Sequence, residues 1–535
     1  MTPDPHKWAV RPLGLALLVV LTGCSSLSIG EQSSDTTAPS GFPTTEATTT
    51  TLPASAQVSG DGDAPGVLPA DLAYLGTFEW DNTGRRSETP EATLSVLDFG
   101  AVADDGQSDT DAFAAAVDAA AEQARNGTAT TVDVPAGRFI LSDTLRLKSS
   151  VVLRGAGRDA TFIDLDLAGS DEEGITMLGS PFGDGVWTPL TADVARGDKR
   201  LSFNGETFQP GQVLEIEQDN VDEMVSREEW VVEWGEGAAG LVTMVTDSGD
   251  NLVVLDHGVT DDFTVDRNAR IRPISAITRA GIESMTIERI DAGYGHIIAM
   301  RFGYDLWVND VETIKASRAH IGIDVVGRCE VTGSNLHGAH DFGDGGRAYG
   351  ISIARHTTNC LIEDNALWDL RHAMIIQLGA SGNVFAYNDA RGSAGYEDRQ
   401  PRADISLHGH WPQANLFEGN VVDRVVFADW WGPVGPANVF WRGCALDSMS
   451  VIESSDDQAI IGSVLGDLVI EDDIERTLLV GNVLNGEALV DSVDTGAATL
   501  PNSLYGADVQ LPTVAGCLNA ASERNPWSEP DADRP

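Results

Sequence analysis

Four residues in the second half of the chain, His372, Asp404, His408 and Asp429, are of the types that move protons when a glycan is cut. Two carboxylates flanking one glycosidic bond act as acid and base, and their separation selects inversion or retention. With Asp404 and Asp429 as that pair, and His372 tuning Asp404, the expected chemistry is hydrolysis. The alternative is β-elimination from a uronic acid, where a cation neutralises the substrate carboxylate and a side-chain base removes the C5 proton. Arg318, Arg347 and Arg371 are then candidates for the carboxylate and His372 or His408 for the base. Asp341, Asp344 and Asp404 are candidates for a Ca²⁺ ion. Tyr294, His296, His320, Trp411 and Trp431 complete the candidate substrate-binding set, the indoles as platforms for a sugar ring. His408-Gly-His410 lacks a third ligand at metal spacing and reads as structural or substrate-binding.

What must position these residues is a repeat. A hydrophobic pair followed by a turn Asn returns as Asn359-Cys-Leu-Ile-Glu-Asp-Asn365, Asn383-Val-Phe-Ala-Tyr-Asn388, Asn415-Leu-Phe-Glu-Gly-Asn420 and Asn438-Val-Phe-Trp-Arg-Gly443, with an earlier member at Asn335. A period of about 22 residues with occasional inserts marks a solenoid. Aligned on Cys329, Asn359, Asn383, Asn415 and Asn438, the preceding strands share one apolar position: Ile297, Ile321, Ile351, Ile375, Leu407, Trp430. Such a ladder points inward, so by strand alternation its neighbours point outward. The outward face then carries Tyr294, His296, Arg318, His320, His372, Asp404, His408, Asp429 and Trp431, where a merely solvated face would show Lys, Glu, Thr and Ser. Inserts at 337–346 and 391–402 are expected to wall that face into a groove. The turn Asn residues are expected to be scaffold.

Upstream, an alternating run at 95–106 leads into a helix whose stripe is Phe113, Ala116, Val117 and Ala120, with Asp109 or Thr110 as N-cap and Gly127 as stop. Asp98-Phe-Gly-Ala101, Asp104-Asp-Gly106, Ser108-Asp-Thr-Asp-Ala-Phe113, Val134-Pro-Ala-Gly137 and Val152-Leu-Arg-Gly-Ala-Gly157 resemble the N-terminal signature of the pectate-lyase superfamily, in its rhamnogalacturonase and epimerase-like branch. The resemblance implies an all-β, right-handed parallel β-helix over 90–495, closed by a capping helix that hides the first coil's edge. It implies no single activity, because that superfamily includes lyases, hydrolases, epimerases and tailspikes. Residues 190–275 break the rhythm and read as an inserted β subdomain near the cap, with strands at 213–217, 230–234 and 252–255. Beyond Gly443 the coils shorten, and 496–535 reads as an irregular cap.

With 82 acidic against 34 basic residues, the formal charge of -48 repels nucleic acid and anionic membrane surfaces. Basic Lys7 and Arg11, an apolar run at 13–21 and Leu21-Thr-Gly-Cys24 look like a bacterial lipoprotein signal, 1–24, with Cys24 lipidated. Residues 25–70, rich in Ser, Thr and Pro, read as a tether. Cys329, Cys360, Cys444 and Cys517 allow three disulfide pairings. The expectation is an exported protein, lipid-anchored to the outer face of a bacterial membrane, that cleaves a polysaccharide in a groove over 294–431. A non-catalytic glycan-binding module on the same fold is the alternative.

Overall fold

Alternating apolar pairs such as Ile321/Ile323, Ile351/Ile353, Met374/Ile376 and Ile405/Leu407 lie side by side in parallel strands, and stacking makes them continuous inward ladders. The computed structural model describes residues 70–181, 186–225, 235–343, 345–393, 402–429, 431–492, 500–506 and 517. Cys24, the tether, Asp344, the strand expected at 230–234, Trp430, and most of the 391–402 insert and the tail lie outside the described residues.

Each coil contributes to three parallel sheets. The floor sheet takes 298–301, 319–324, Tyr349–Ala354, His372–Ile376, Ala403–Leu407 and 424–427. The second takes 303–309, 326–332, Leu361–Glu363, Val384–Ala386, Leu416–Glu418 and Val439–Trp441. The third takes 312–316, Asn335–Ala339, Ala366–Trp368 and Asp389–Arg391. Parallel strands joined by crossovers run right-handed, and the result is the expected right-handed parallel β-helix. The helix Thr110–Arg125 buries Phe113, Ala116, Val117 and Ala120 over the first coils, as its stripe predicts. Asp109 stands at its N-cap as expected, but its carboxylate makes no cap bond and instead accepts from Val102 N and Ile140 N, pinning the neighbouring loop and strand.

The turn Asn residues form two buried ladders at the corners of the second sheet. Asn383 Nδ2 donates to Asn415 Oδ1 and Asn415 Nδ2 to Asn438 Oδ1, each at 3.0 Å. Asn365, Asn388 and Asn420 repeat the pattern at the next corner. The member beside Asn383 is Cys360, not Asn359, and the member beside Asn365 is Ser334, not Asn335.

That detail moves the floor register. Ile298 pairs with Ile321, and Ile351 with Met374 and then Ile405, so the inward ladder is Ile298, Ile321, Ile351, Met374, Ile405 and Val425. Ile297, Ile375 and Leu407 do not belong to it. The corner joining floor to second sheet lengthens along the stack, from Ile321 to Cys329, from Ile405 to Asn415 and from Val425 to Asn438. Corners absorb extra residues without breaking the ladders on either side, and a constant offset counted back from the Asn therefore slips.

The inserted subdomain is an antiparallel seven-stranded sheet spanning Ser180–Pro181 to Arg270–Ser275, with its own core of Phe203, Ile216, Leu241, Val253 and Ile271. It docks beside the middle coils and not near the cap. Buried Asp256 accepts from Arg328 Nε at 2.7 Å and from the Tyr304 hydroxyl, and His356 Nδ1 bonds Glu215 at 2.7 Å. The outer face of the second sheet is apolar and is covered by both terminal straps. Leu75, Trp80, Leu504 and Tyr505 pack on Val384, Leu416, Val439 and Trp441, so Trp441 is core. Disulfides join Cys329 to Cys360 across stacked coils, and Cys444 to Cys517.

Candidate functional site

The outward rows of the floor sheet run along the stack as Arg301, Asp324, Ala354, Gln377, His408 and, beside them, Ala299, Gly322, Ser352, Ile375, Ser406. The floor strands begin at one wall and end at the other. The wall before them is the loop after Asn335–Ala339, carrying Arg347 against Tyr294. The wall after them is the inserted subdomain. Gly379, at φ +71°, lies so close to Ala238 O that a Cβ would overlap it, and Arg355 donates to Glu236 O at 3.4 Å. The floor is thus flanked by one long loop and one inserted domain.

At the far end of the floor, four coils bring together Tyr349, Arg371, His372, His408, Asp429 and Trp431. His408 Nδ1 is hydrogen-bonded to Asp429 Oδ2, and Asp429 Oδ1 accepts from Trp431 N at 3.0 Å. The carboxylate therefore fixes the imidazole's orientation and favours the tautomer with its proton on Nδ1. The His372 ring lies 6.2 Å from that of His408 and 5.3 Å from that of Tyr349. Burial, together with Arg371 and His408, holds His372 well below the usual imidazole pKa, so it is neutral. Its Nδ1 contacts Ala403 O at 3.3 Å while Nε2 has no partner among the described residues. Burial raises the Tyr349 phenol above its ordinary value despite the Arg371 Nη2 donated to its oxygen at 2.9 Å, so it keeps its proton. Trp431 stands 5.8 Å from His408 at the solvent side.

Asp404 is not part of this centre. His372 pairs with Ala403, which sends Asp404 to the other side of its strand, where Oδ2 accepts from Asp423 N and Arg424 N at 2.9 Å each. Burial outweighs those donors and pushes its carboxyl up to about 8, a protonated corner residue. The expected Asp404/Asp429 pair and the His372/Asp404 contact are therefore corrected by those two bonds, which hold Asp404 at the corner of the next coil. His320 is likewise structural: fully buried, it bonds Thr313 Oγ1 at 2.8 Å and Gly338 O at 3.0 Å. It does not stack with His296, whose ring instead lies across Gly322. Arg371 is buried and bonds Gly343 O at 2.7 Å, so it anchors the loop wall as well as Tyr349.

Arg318, exposed, and Arg347, half-buried, flank Tyr294 with their guanidinium carbons 5.5 and 5.4 Å from its ring, and the Tyr294 hydroxyl donates to Gly345 O. Trp411 is half-buried against Gly435, which keeps space for its indole. The expected Ca²⁺ ligands are not assembled among the described residues. Asp341 is ion-paired to Arg347 and accepts from Gly343 N, while Asp404 is tied to a different corner. Glu215, Glu217 and His356 do converge, but Arg272 and Arg270 already neutralise the two carboxylates, so the cluster is a docking network.

Sequence reasoning missed Tyr349, Arg301, Asp324 and Glu173. Tyr349, two residues before inward Ile351, reads as core by strand alternation, and Arg301 and Asp324 follow apolar residues that read only as core. Glu173 sits upstream of the insert, out of sight of the repeat.

Residues 93–270 match the family model described as rhamnogalacturonase A/epimerase, pectate lyase-like. None of the curated proteins matches the chain. Among solved structures, the tailspike protein gp49 of Pseudomonas phage LKA1 is similar at 16% identity and a TM-score of 0.49, over 72% of this chain and 64% of that one. The chain thus spans less than two thirds of that tailspike. The Azotobacter vinelandii mannuronan C-5 epimerase AlgE6 A-module is similar at 15% identity, TM-score 0.41, over 74% and 94% of the two chains. The Streptococcus pneumoniae surface protein and adhesin PfbA is similar at 14% identity, TM-score 0.41, over 74% and 97%. On the coils of its own structure this chain is a right-handed parallel β-helix protein, and over residues 93–270 it matches the pectate-lyase-like family model.

Proposed function

We propose that the groove binds a uronic-acid polysaccharide along the coil stack and cuts it by β-elimination. The observation that carries this reading is the Asp429-oriented His408 beside neutral His372 and protonated Tyr349, with Arg371 next to both. His408 removes the C5 proton, the C4–O bond breaks as C4=C5 forms, and the departing oxygen takes the proton of Tyr349. Arg371 is the cation at the centre that offsets charge developing on the substrate carboxylate. Hydrolysis is the weaker reading, because its second carboxylate, Asp404, is held elsewhere by Asp423 N and Arg424 N. A polysaccharide partner also agrees with relatives in shape such as a tailspike of a phage of Acinetobacter baumannii, whose structure was solved with a capsular saccharide.

The test is a panel of polygalacturonate, alginate and neutral polysaccharides, with products read by ultraviolet absorbance and mass. Elimination gives unsaturated ends and adds no water; a product carrying added water, or none from any uronate, refutes it. A second reading, glycan binding without turnover, is favoured by the near-complete burial of His372 and Asp429 beside a more open row of Arg301, Asp324 and Gln377. Export and lipidation at Cys24 belong to the same proposal and rest on the Leu21-Thr-Gly-Cys24 box and the 25–70 tether. Radiolabelled palmitate incorporated by the native chain and lost in Cys24→Ala is the expected outcome.

A further inference from the structure

At the opposite end of the floor from His408 lies a second group of polar side chains that the proposed elimination does not use. Glu173 accepts from His296 N and forms an ion pair with Arg301 at 2.7 Å. Asp324 is the residue in register with Arg301 on the next coil, and its charge supports that guanidinium. The His296 ring lies across Gly322, two residues before Asp324 on the same outward side; a Cβ there would meet the ring at 2.7 Å. His296 is 5% exposed, and its Nδ1 has no hydrogen-bond partner among the described residues. Asp324 Oδ1 is buried and equally without one. Two orphaned polar atoms on one face, beside a guanidinium held from two sides, are a costly arrangement unless something bonds them.

Between this group and His408 the floor is uncharged: Gly322, Ser352, Ala354, Ile375, Gln377 and Ser406. Asp324 stands three coils before His408, about 14 Å at ~4.8 Å per coil. A glycan lying along the stack and reaching His408 would pass over this flat stretch and meet the charged group with a unit several sugars away.

We infer that Glu173, His296, Arg301 and Asp324 form a distal saccharide subsite, which takes one sugar unit of a chain whose reacting bond lies at His408. The inference rests on the groove reading of the proposed function. A sugar hydroxyl donates to Asp324 Oδ1, a neighbouring one bonds His296 Nδ1, and Arg301 donates to a substrate oxygen. Burial, acting against Glu173, brings the His296 pKa down to about 3, so its imidazole is neutral and suits a hydroxyl.

The test is calorimetric binding of galacturonate and mannuronate oligomers, as disaccharide and hexasaccharide, to the native chain, Asp324→Ala and Gly322→Ala. The second variant displaces the His296 ring without removing a polar group, and circular dichroism checks that both keep the fold. The expected result is a loss of about tenfold or more in hexasaccharide affinity in each variant, with disaccharide affinity unchanged. Equal losses for both lengths, unchanged hexasaccharide affinity, or no binding of either oligomer by the native chain overturns the subsite. Absence of turnover with length-dependent binding intact refutes the elimination alone, so the two failures are distinguishable.

Discussion

Replacing Asp429 by Asn tests the proposed centre through the tautomer of a single imidazole. In the structure Asp429 Oδ1 accepts from Trp431 N at 3.0 Å, and Oδ2 takes the bond from His408 Nδ1. An amide of the same shape keeps its oxygen on Trp431 N, because that donor is a fixed backbone group. Its NH₂ then faces His408 Nδ1, which must accept, so the ring proton moves to Nε2 and the basic lone pair is lost. Positioned general acid–base groups contribute about 10²–10⁴ in rate, or about 3–5 kcal/mol, and Asp429→Asn is expected to lower kcat by an amount in that range. KM should change little, since the side chain is 2% exposed and its volume is kept. The assay is the initial rate of unsaturated-product formation from polyuronate, with the thermal midpoint measured alongside. A variant that keeps its midpoint and retains kcat within about threefold refutes the role of the His408–Asp429 pair.

Other outcomes follow from the same coordinates. Asn388 accepts from Asn365 N and Nδ2 and donates to Ile362 O and Asn420 Oδ1, at 2.9–3.1 Å. Asn388→Ala orphans those buried partners and should cost about 3–6 kcal/mol in thermal or denaturant unfolding; a cost below about 1 kcal/mol would contradict a structural ladder. Asp404, with its folded pKa raised to about 8, binds its proton more tightly folded than unfolded. Its contribution to stability is therefore present below pH ~4 and is lost as pH rises toward 8, so Asp404→Asn should flatten that decline; parallel pH profiles would contradict it. Arg328→Met leaves the Asp256 carboxylate buried without its guanidinium and should cost about 3–5 kcal/mol, with hydrogen exchange rising first in the inserted subdomain.

The repeat of apolar pairs and turn Asn residues determined the architecture, because each coil buries its pairs only against the next coil, and period and polarity are written locally. The cap helix was legible for the same reason: its stripe Phe113, Ala116, Val117 and Ala120 needs no distant partner to be recognised. Residue types pointed to His372, His408 and Asp429, and those three do meet at one end of the floor. Which side chains face that floor was decided by tertiary structure. The corners before Cys360, Asn415 and Asn438 differ in length, and a strand shifted by one residue turns its side chains to the opposite face. The one-residue step applies to the strand of Met374, while Asp404, His320 and Tyr349 were placed by contacts that alternation does not carry: Asp404 with Asp423 N and Arg424 N of the next coil, His320 with Thr313 and Gly338 O, and Tyr349 with His372. The docking place of the inserted subdomain was also beyond sequence periodicity, since Asp256–Arg328 and Glu215–His356 join segments far apart in the chain. Local patterns fix what each coil is made of; only the packed stack fixes how one coil is rotated against the next, and the site is built from that rotation.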